Sequence, residues 1–228
     1  MREKKPSPSL AYVPSEADYF DLVHASRGCQ ACDLYKHATQ TVFGEGPAPA
    51  KMMLVGEQPG DQEDKQGRPF VGPAGRILDA ALAEADIPRD QVYLTTAVKH
   101  FKWEPRGKRR LHSKPNAVEI HACNGWLQAE VAVVKPTVIV CLGATASQVL
   151  LGRSFRLTQD RGKVLHGGAW APHIVATYHP SALLRMMSDE EAYANARAQF
   201  EADLATAGKL VRFRARRSRL ARSSRWVG

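Results

Sequence analysis

The chain has 228 residues, 44% of them hydrophobic, enough apolar material to bury one substantial core and so to form one main domain. No apolar run reaches membrane-spanning length and residues 1–20 lack a signal-peptide core, so the expectation is a cytoplasmic protein without disulfides. The net charge of +9 is concentrated at one end: residues 209–228 hold Lys209 and seven arginines with no acid, and the remainder is 24 basic against 23 acidic residues.

In chain order, residues 1–24 are rich in Pro, Ser and charge and read as a flexible lead. The main domain is expected over 25–208. Cys29 and Cys32 form a C-x-x-C pair, and the other two cysteines, Cys123 and Cys141, fall in an apparent helix and an apolar strand. Four such cysteines permit a zinc site, a redox pair, a cluster or simple burial, and spacing alone does not separate zinc from iron.

Four β–α repeats follow. A strand over 51–55 precedes a helix over 73–85, whose apolar positions Ile77, Leu78, Ala81 and Leu82 recur at helical spacing. Between them lies GEQPGDQEDKQGRPFVG (56–72), in which glycines allow close backbone approach to a ligand and a strand-to-helix turn presents free N–H groups. The strand 92–98 leads into a basic stretch, Lys99 to Lys114, with seven Lys or Arg against one Glu, and then a helix over 117–134. Strand 137–142 precedes helix 144–151, and strand 173–178 precedes a short helix from Pro180. A last helix over about 189–207 closes the body. This alternation predicts a parallel sheet covered on both faces, with ligands beyond the carboxyl ends of the strands. Glu57, the stretch from Lys99 to His112, and His179 each follow a strand end directly, so three strands deliver polar residues to one rim. The basic tail, 209–228, fits either a solubilising end or an arm on nucleic acid, where each neutralised phosphate releases counterions.

Three motifs carry a resemblance. GEQPGDQED with GRPFVGPAG (56–75) resembles motif A of the uracil-DNA glycosylase superfamily in its iron–sulfur branch, and YHPSALLR (178–185) resembles motif B. KRRLH (108–112) resembles the extra loop of the UdgX type, which bonds covalently to the DNA it processes. The resemblance spans about residues 29–200. It implies an α/β fold, a three-layer α/β/α sandwich around a mostly parallel four-stranded sheet. It also implies a [4Fe-4S] cluster held by Cys29, Cys32, Cys123 and Cys141, with a structural role.

The implied activity is excision of uracil from DNA, single-stranded by preference, by a monomeric enzyme associated with the nucleoid during repair. Glu57 stands where the family carries its active-site acid, with Gln58 and Asp61 orienting it or lining the pocket. Phe70 is the stacking floor for a flipped base, and His179 hydrogen-bonds the uracil carbonyl that gains charge. Gly60, Ser181 and Arg185 contact substrate, and Leu183, with Leu184, wedges into the gap left in the stack. Lys108, Arg109 and Arg110 sit against DNA, and His112 is the nucleophile that captures C1′ in a single turnover. Thr96 stands where related enzymes carry an Asn that reads the uracil edge, leaving one hydroxyl for that task. Two other readings compete: a turnover glycosylase using water, and a non-catalytic metal-stapled DNA-binding module.

Overall fold

The computed structural model describes residues 5–213. In chain order the elements are α1 (Tyr19–Ser26), β1 (Met52–Gly56), α2 (Asp61–Gln66), α3 (Pro73–Glu84), β2 (Val92–Thr96), β3 (Trp103–Arg106), β4 (Arg109–His112), α4 (Ala117–Val134), β5 (Val138–Leu142), α5 (Ala144–Leu151), α6 (Leu157–Asp160), β6 (Val164–His166), β7 (His173–Thr177), α7 (Pro180–Met186) and α8 (Glu190–Gly208). The strand order is β2-β1-β5-β7-β6. The first four strands are parallel and β6 runs antiparallel on β7, so the sheet has five strands where four were expected. Three-residue β6 is too short to show a period of two. No helix among the described residues is long and apolar enough to cross a membrane.

Strand alternation builds the layers. Met52, Leu54, Val138, Val140 and Leu142 face α3, α7 and α8, where they meet Leu78, Leu82, Leu183, Phe200 and Leu204. Met53, Val55, Ile139 and Cys141 face the other way and pack with Leu127 of α4 and with Ala146 and Leu150 of α5. A third apolar group lies between α1 and α4, with Leu22, Cys29, Phe43, Val98, Cys123 and Trp126. The helix ends follow from local chemistry. Asn116 caps α4 by accepting from the N–H groups of Val118 and Glu119, and Glu119 returns a bond to the Asn116 N–H. Pro73 and Pro180 occupy first-turn positions, where no N–H is needed.

One departure concerns the N-terminal end. Much of the lead expected to be flexible is tied down: Ser7 donates to the carbonyls of His121 and Ala122, accepts from Gly125 N–H, and the turn Pro8–Tyr12 packs on α4. The arginine-rich tail from residue 214 onward lies outside the described residues.

The deepest polar feature is an ion pair. Lys99 Nζ lies 2.5 Å from Glu130 Oε2, with both side chains almost fully buried. Lys99 also donates to Thr95 Oγ1 and Thr96 O, and Glu130 accepts from Tyr93 OH, Thr95 Oγ1 and Gly44 N–H. Lys99 thus belongs to the core and not to the basic surface its sequence neighbours suggested. Replacing Lys99 by Met leaves Glu130 charged without its partner. The expected cost is about 3–5 kcal/mol, read as a lower urea midpoint with unchanged slope. A loss below about 1 kcal/mol would show that the pair does not hold this region.

Candidate active site

Along the sheet the chain steps from β1 outward to β2, then crosses to the opposite side of β1 for β5 and β7. The crevice between the ends of β1 and β5 is therefore the switch point where such sheets bind ligands. A cleft of about 610 Å³ opens there. Its lining brings together Glu57, Gln58, Gly60, Phe70, Thr96, His112, His179, Ser181 and Arg185, and adds Thr145 and Tyr178.

Glu57 follows β1 and is the centre of the polar arrangement. One carboxylate oxygen, Oε1, lies 3.3 Å from His112 Nε2, and the other accepts the Thr145 hydroxyl. Burial pushes the Glu57 carboxyl up. The bonds from His112 and Thr145 outweigh it and hold the group below the ordinary carboxylate value. Glu57 is thus ionised at neutral pH and carries a half-exposed imidazole on one side.

His112 reaches this position because the basic stretch is not a loop. Trp103–Arg106 and Arg109–His112 pair as an antiparallel hairpin, separate from the main sheet, turning at Gly107 in the left-handed region. Side chains alternate along β4, so Arg110 and His112 share a face. Arg110 is clamped on that face. Its guanidinium lies 2.6 Å from Asp61 Oδ1 and 2.7 Å from Asp64 Oδ2, and stacks 5.4 Å from the Phe101 ring and 5.5 Å from Trp103. Asp64 is fully buried and also binds the Thr39 N–H and hydroxyl. Gln58 fixes the root of the hairpin: its amide donates to Lys102 O and Ser113 O and accepts from Lys102 N–H.

These bonds correct several sequence expectations. Gln58 lines the cleft but its amide is fully committed to backbone. Asp61 is outside the cleft and anchors Arg110 and Lys65. Arg110 is a structural clamp, whereas Lys108 and Arg109 stay exposed at the hairpin tip. Leu183 has no exposure and packs in the core against α3 and α8, so it cannot wedge into a base stack. Thr96 donates its hydroxyl to Val98 O at 2.8 Å. The expected polar reader of a base edge is therefore turned onto its own chain.

On the other wall, His179 precedes α7 and its Nδ1 accepts the Ser181 N–H at 3.1 Å. That bond places the proton of the neutral ring on Nε2. Burial, aided by His112 and Arg185 and opposed by Glu57, lowers the His179 pKa to about 4, so the ring is neutral at pH 7 and Nε2–H is a donor. Phe70 packs 6.4 Å from this ring and has φ of 56°, a strained value for an aromatic residue and one often found at binding sites. A Cβ on Gly56 would lie 2.8 Å from the tip of Phe70 and 3.6 Å from His179 Nε2, which is why β1 ends on glycine here.

The cysteines divide. Cys29, Cys32 and Cys123 stand close enough to feel one another's charge. Two N–H donors are aimed at their sulfurs, Trp126 Nε1 at Cys29 and Lys99 N at Cys123, each at 3.2 Å. Such donors suit thiolate ligands. Cys141 is not among them; it is buried on the sheet face under α4 and α5. Among the described residues no three His, Cys, Asp or Glu side chains are grouped to hold a single metal ion.

Thr145 escaped the sequence reading, although it lies in the first turn of α5, just beyond the end of β5. Thr145→Ala should let the Glu57 carboxyl titrate at a higher pH while Thr145→Ser leaves it low, as followed by carboxyl ¹³C NMR. An unchanged Glu57 titration in Thr145→Ala would remove this threonine from the site.

Comparison with known proteins agrees with this geometry. The profile described as Uracil DNA glycosylase superfamily matches residues 43–205. Type-4 uracil-DNA glycosylase of Thermotoga maritima is 40% identical over 165 residues, 71% of this chain and 81% of its own. The type-4 enzyme of Archaeoglobus fulgidus is 34% identical, covering 76% and 86%, and that of Pyrobaculum aerophilum is 34% identical, covering 82% and 92%. With the match extending over the whole sheet and both walls of the cleft, the chain belongs to the uracil-DNA glycosylase superfamily.

Proposed function

We propose that this protein is an iron–sulfur uracil-DNA glycosylase of the UdgX type, which excises uracil and keeps the abasic sugar on His112. Excision is supported by the likeness to type-4 enzymes and by the cleft at the strand ends. Capture is supported by one observation above all, His112 Nε2 held 3.3 Å from an ionised Glu57 at the cleft mouth.

The base enters the cleft flipped from the strand, most readily from single-stranded DNA, where no pairing is lost. It stacks on Phe70, and His179 Nε2–H donates to the carbonyl that gains charge as the glycosidic bond breaks. The Nε2 proton of His112 passes to Glu57. The freed lone pair bonds C1′ while the C1′–N1 electrons leave with uracil, which takes up the proton. An oriented imidazole has an effective concentration of about 10⁵–10⁸ M, well above that of water. A [4Fe-4S] cluster supplies structural stapling at Cys29, Cys32 and Cys123. The clamp on Arg110 leaves Lys108, Arg109 and Arg185 as the side chains for phosphates.

A denaturing gel of the protein with uracil-containing single-stranded DNA tests the reading. A shifted band stable to boiling is expected. His112→Ala should abolish that band and release free abasic DNA, and Glu57→Gln should slow adduct formation on the order of 10²-fold. Free abasic product from the wild-type protein would mean a turnover enzyme using water. No product of either kind would leave only a binding module.

The pH profile follows from the two depressed groups. Base release by His112→Ala, which has no nucleophilic imidazole, needs Glu57 ionised and His179 neutral, so its rate should hold at neutral pH and fall as the pH drops towards about 4, where His179 takes a proton. Single-turnover quench measurements check this. A fall already complete by about pH 6, near the ordinary histidine value, would contradict the neutral His179.

A further inference from the structure

The contact between α3 and α7 has two open sides. One is a wall of the cleft. The other is a groove of about 380 Å³, within the size range of small-ligand sites. Three helices each turn one stripe of side chains towards it. On α3 the stripe runs from Arg76 to Ala80, α7 adds Leu184 and Met187, and α8 adds Tyr193 and Arg197. The small side chains of Ala80 and Ala81 keep the space between the helices open.

The lining combines apolar and aromatic side chains with two arginines, and among the described residues no carboxylate lines it. Met187 is 58% exposed, a large apolar side chain left in water. Arg76 is exposed too, and among the described residues it makes no ion pair or side-chain hydrogen bond. Arg197 is oriented by its bond from Nε to Glu201 Oε1 at 2.7 Å. Positive charge beside aromatic and apolar surface is the combination that holds single-stranded nucleic acid, with bases on the apolar groups and phosphates on the cations. A helical peptide would instead want an uninterrupted apolar stripe.

The groove also continues the cleft. Pro73 in the groove is followed by Ala74 in the cleft, and Leu184 in the groove by Arg185 in the cleft. The two hollows thus share the first turn of α3 and the middle of α7 as a common wall. A strand whose flipped base enters the cleft lies over that wall, with its next nucleotide at the groove.

We propose that the groove between α3, α7 and α8 is a subsite for the nucleotide next to the flipped uracil, its base held against Tyr193 and Met187 and its phosphates on Arg76 and Arg197. The proposal rests on the glycosylase reading for its substrate. It sets the course of the strand across the cleft mouth, from the hairpin on one wall to α7 on the other.

The test measures binding apart from chemistry, by fluorescence anisotropy of the full chain with single-stranded DNA. Each probe carries a tetrahydrofuran residue in place of the uracil nucleotide, which leaves no base to release, placed in mid-strand, at the 5′ end or at the 3′ end. Wild type should bind one of the end-placed probes about tenfold more weakly than the mid-strand probe, in the range for losing one stacked base. Met187→Glu should weaken the mid-strand probe by a similar factor and erase its advantage over that end-placed probe. Arg76→Gln should lower the salt slope of the mid-strand probe by about 1 and leave that of the same end-placed probe unchanged. Both positions are exposed, and an unchanged urea midpoint checks the fold of each variant. Equal wild-type affinity for all three probes, equal losses on all three in the variants, or wild-type binding by both variants would overturn the subsite. If the wild-type protein leaves uracil-containing DNA intact while the probes still sort in this way, the glycosylase reading fails and the groove stands as a single-strand site.

Discussion

The buried pair of Lys99 and Glu130 is the constraint on which the catalytic side of the molecule depends. Removing two charges from water costs several kcal/mol each, repaid only where the geometry is tight and every remaining proton and lone pair is used. Here Lys99 spends all its donors on Glu130, Thr95 and Thr96, and Glu130 collects Gly44, Tyr93 and Thr95. The pair thereby fixes the end of β2, the turn that commits the Thr96 hydroxyl, and the main-chain N–H at Cys123. Two sites some way apart in purpose, the cleft and the cysteine group, hang from one residue.

The cleft itself is set by how few of its polar groups remain free. Gln58 and Thr96 are both spent on backbone, and Ser181 is engaged with His179. What remains available is an ionised carboxylate, an imidazole donor and an aromatic floor. That set suits stabilising charge during bond cleavage better than reading the full edge of a base. Discrimination between bases then falls to shape and main-chain groups at the strand ends. Thr96, with its hydroxyl turned onto Val98 O, leaves no side-chain amide or free hydroxyl from β2 for that reading.

Much of this was legible in the residues. Helical spacing located α3, α4 and α5 to within a residue or so, and the rule that ligands gather at strand ends placed Glu57, His112 and His179 on one rim. What was missed depended on partners distant in the chain. Lys99 looked solvated because Glu130 lies 31 residues on, and Arg110 looked free for DNA because its partner Asp64 lies 46 residues back. The hairpin was hidden by Pro105 and by a run of charge that resembles a loop. The alternation that separates Cys141 from Cys123 was present in β5, but which face meets the C-x-x-C pair is decided by the path of the chain around α1 and α4.

The hairpin has one more implication. It forms a sheet of its own, joined to the body through Gln58 at its root and Arg110 at its middle, and contributes no strand to the core. The residue facing Glu57 is therefore mounted on an interchangeable part. Substitutions along its two strands can change the group that faces Glu57 without removing a strand from the main sheet. The cleft mouth can thus be rebuilt while the fold beneath it stays as it is.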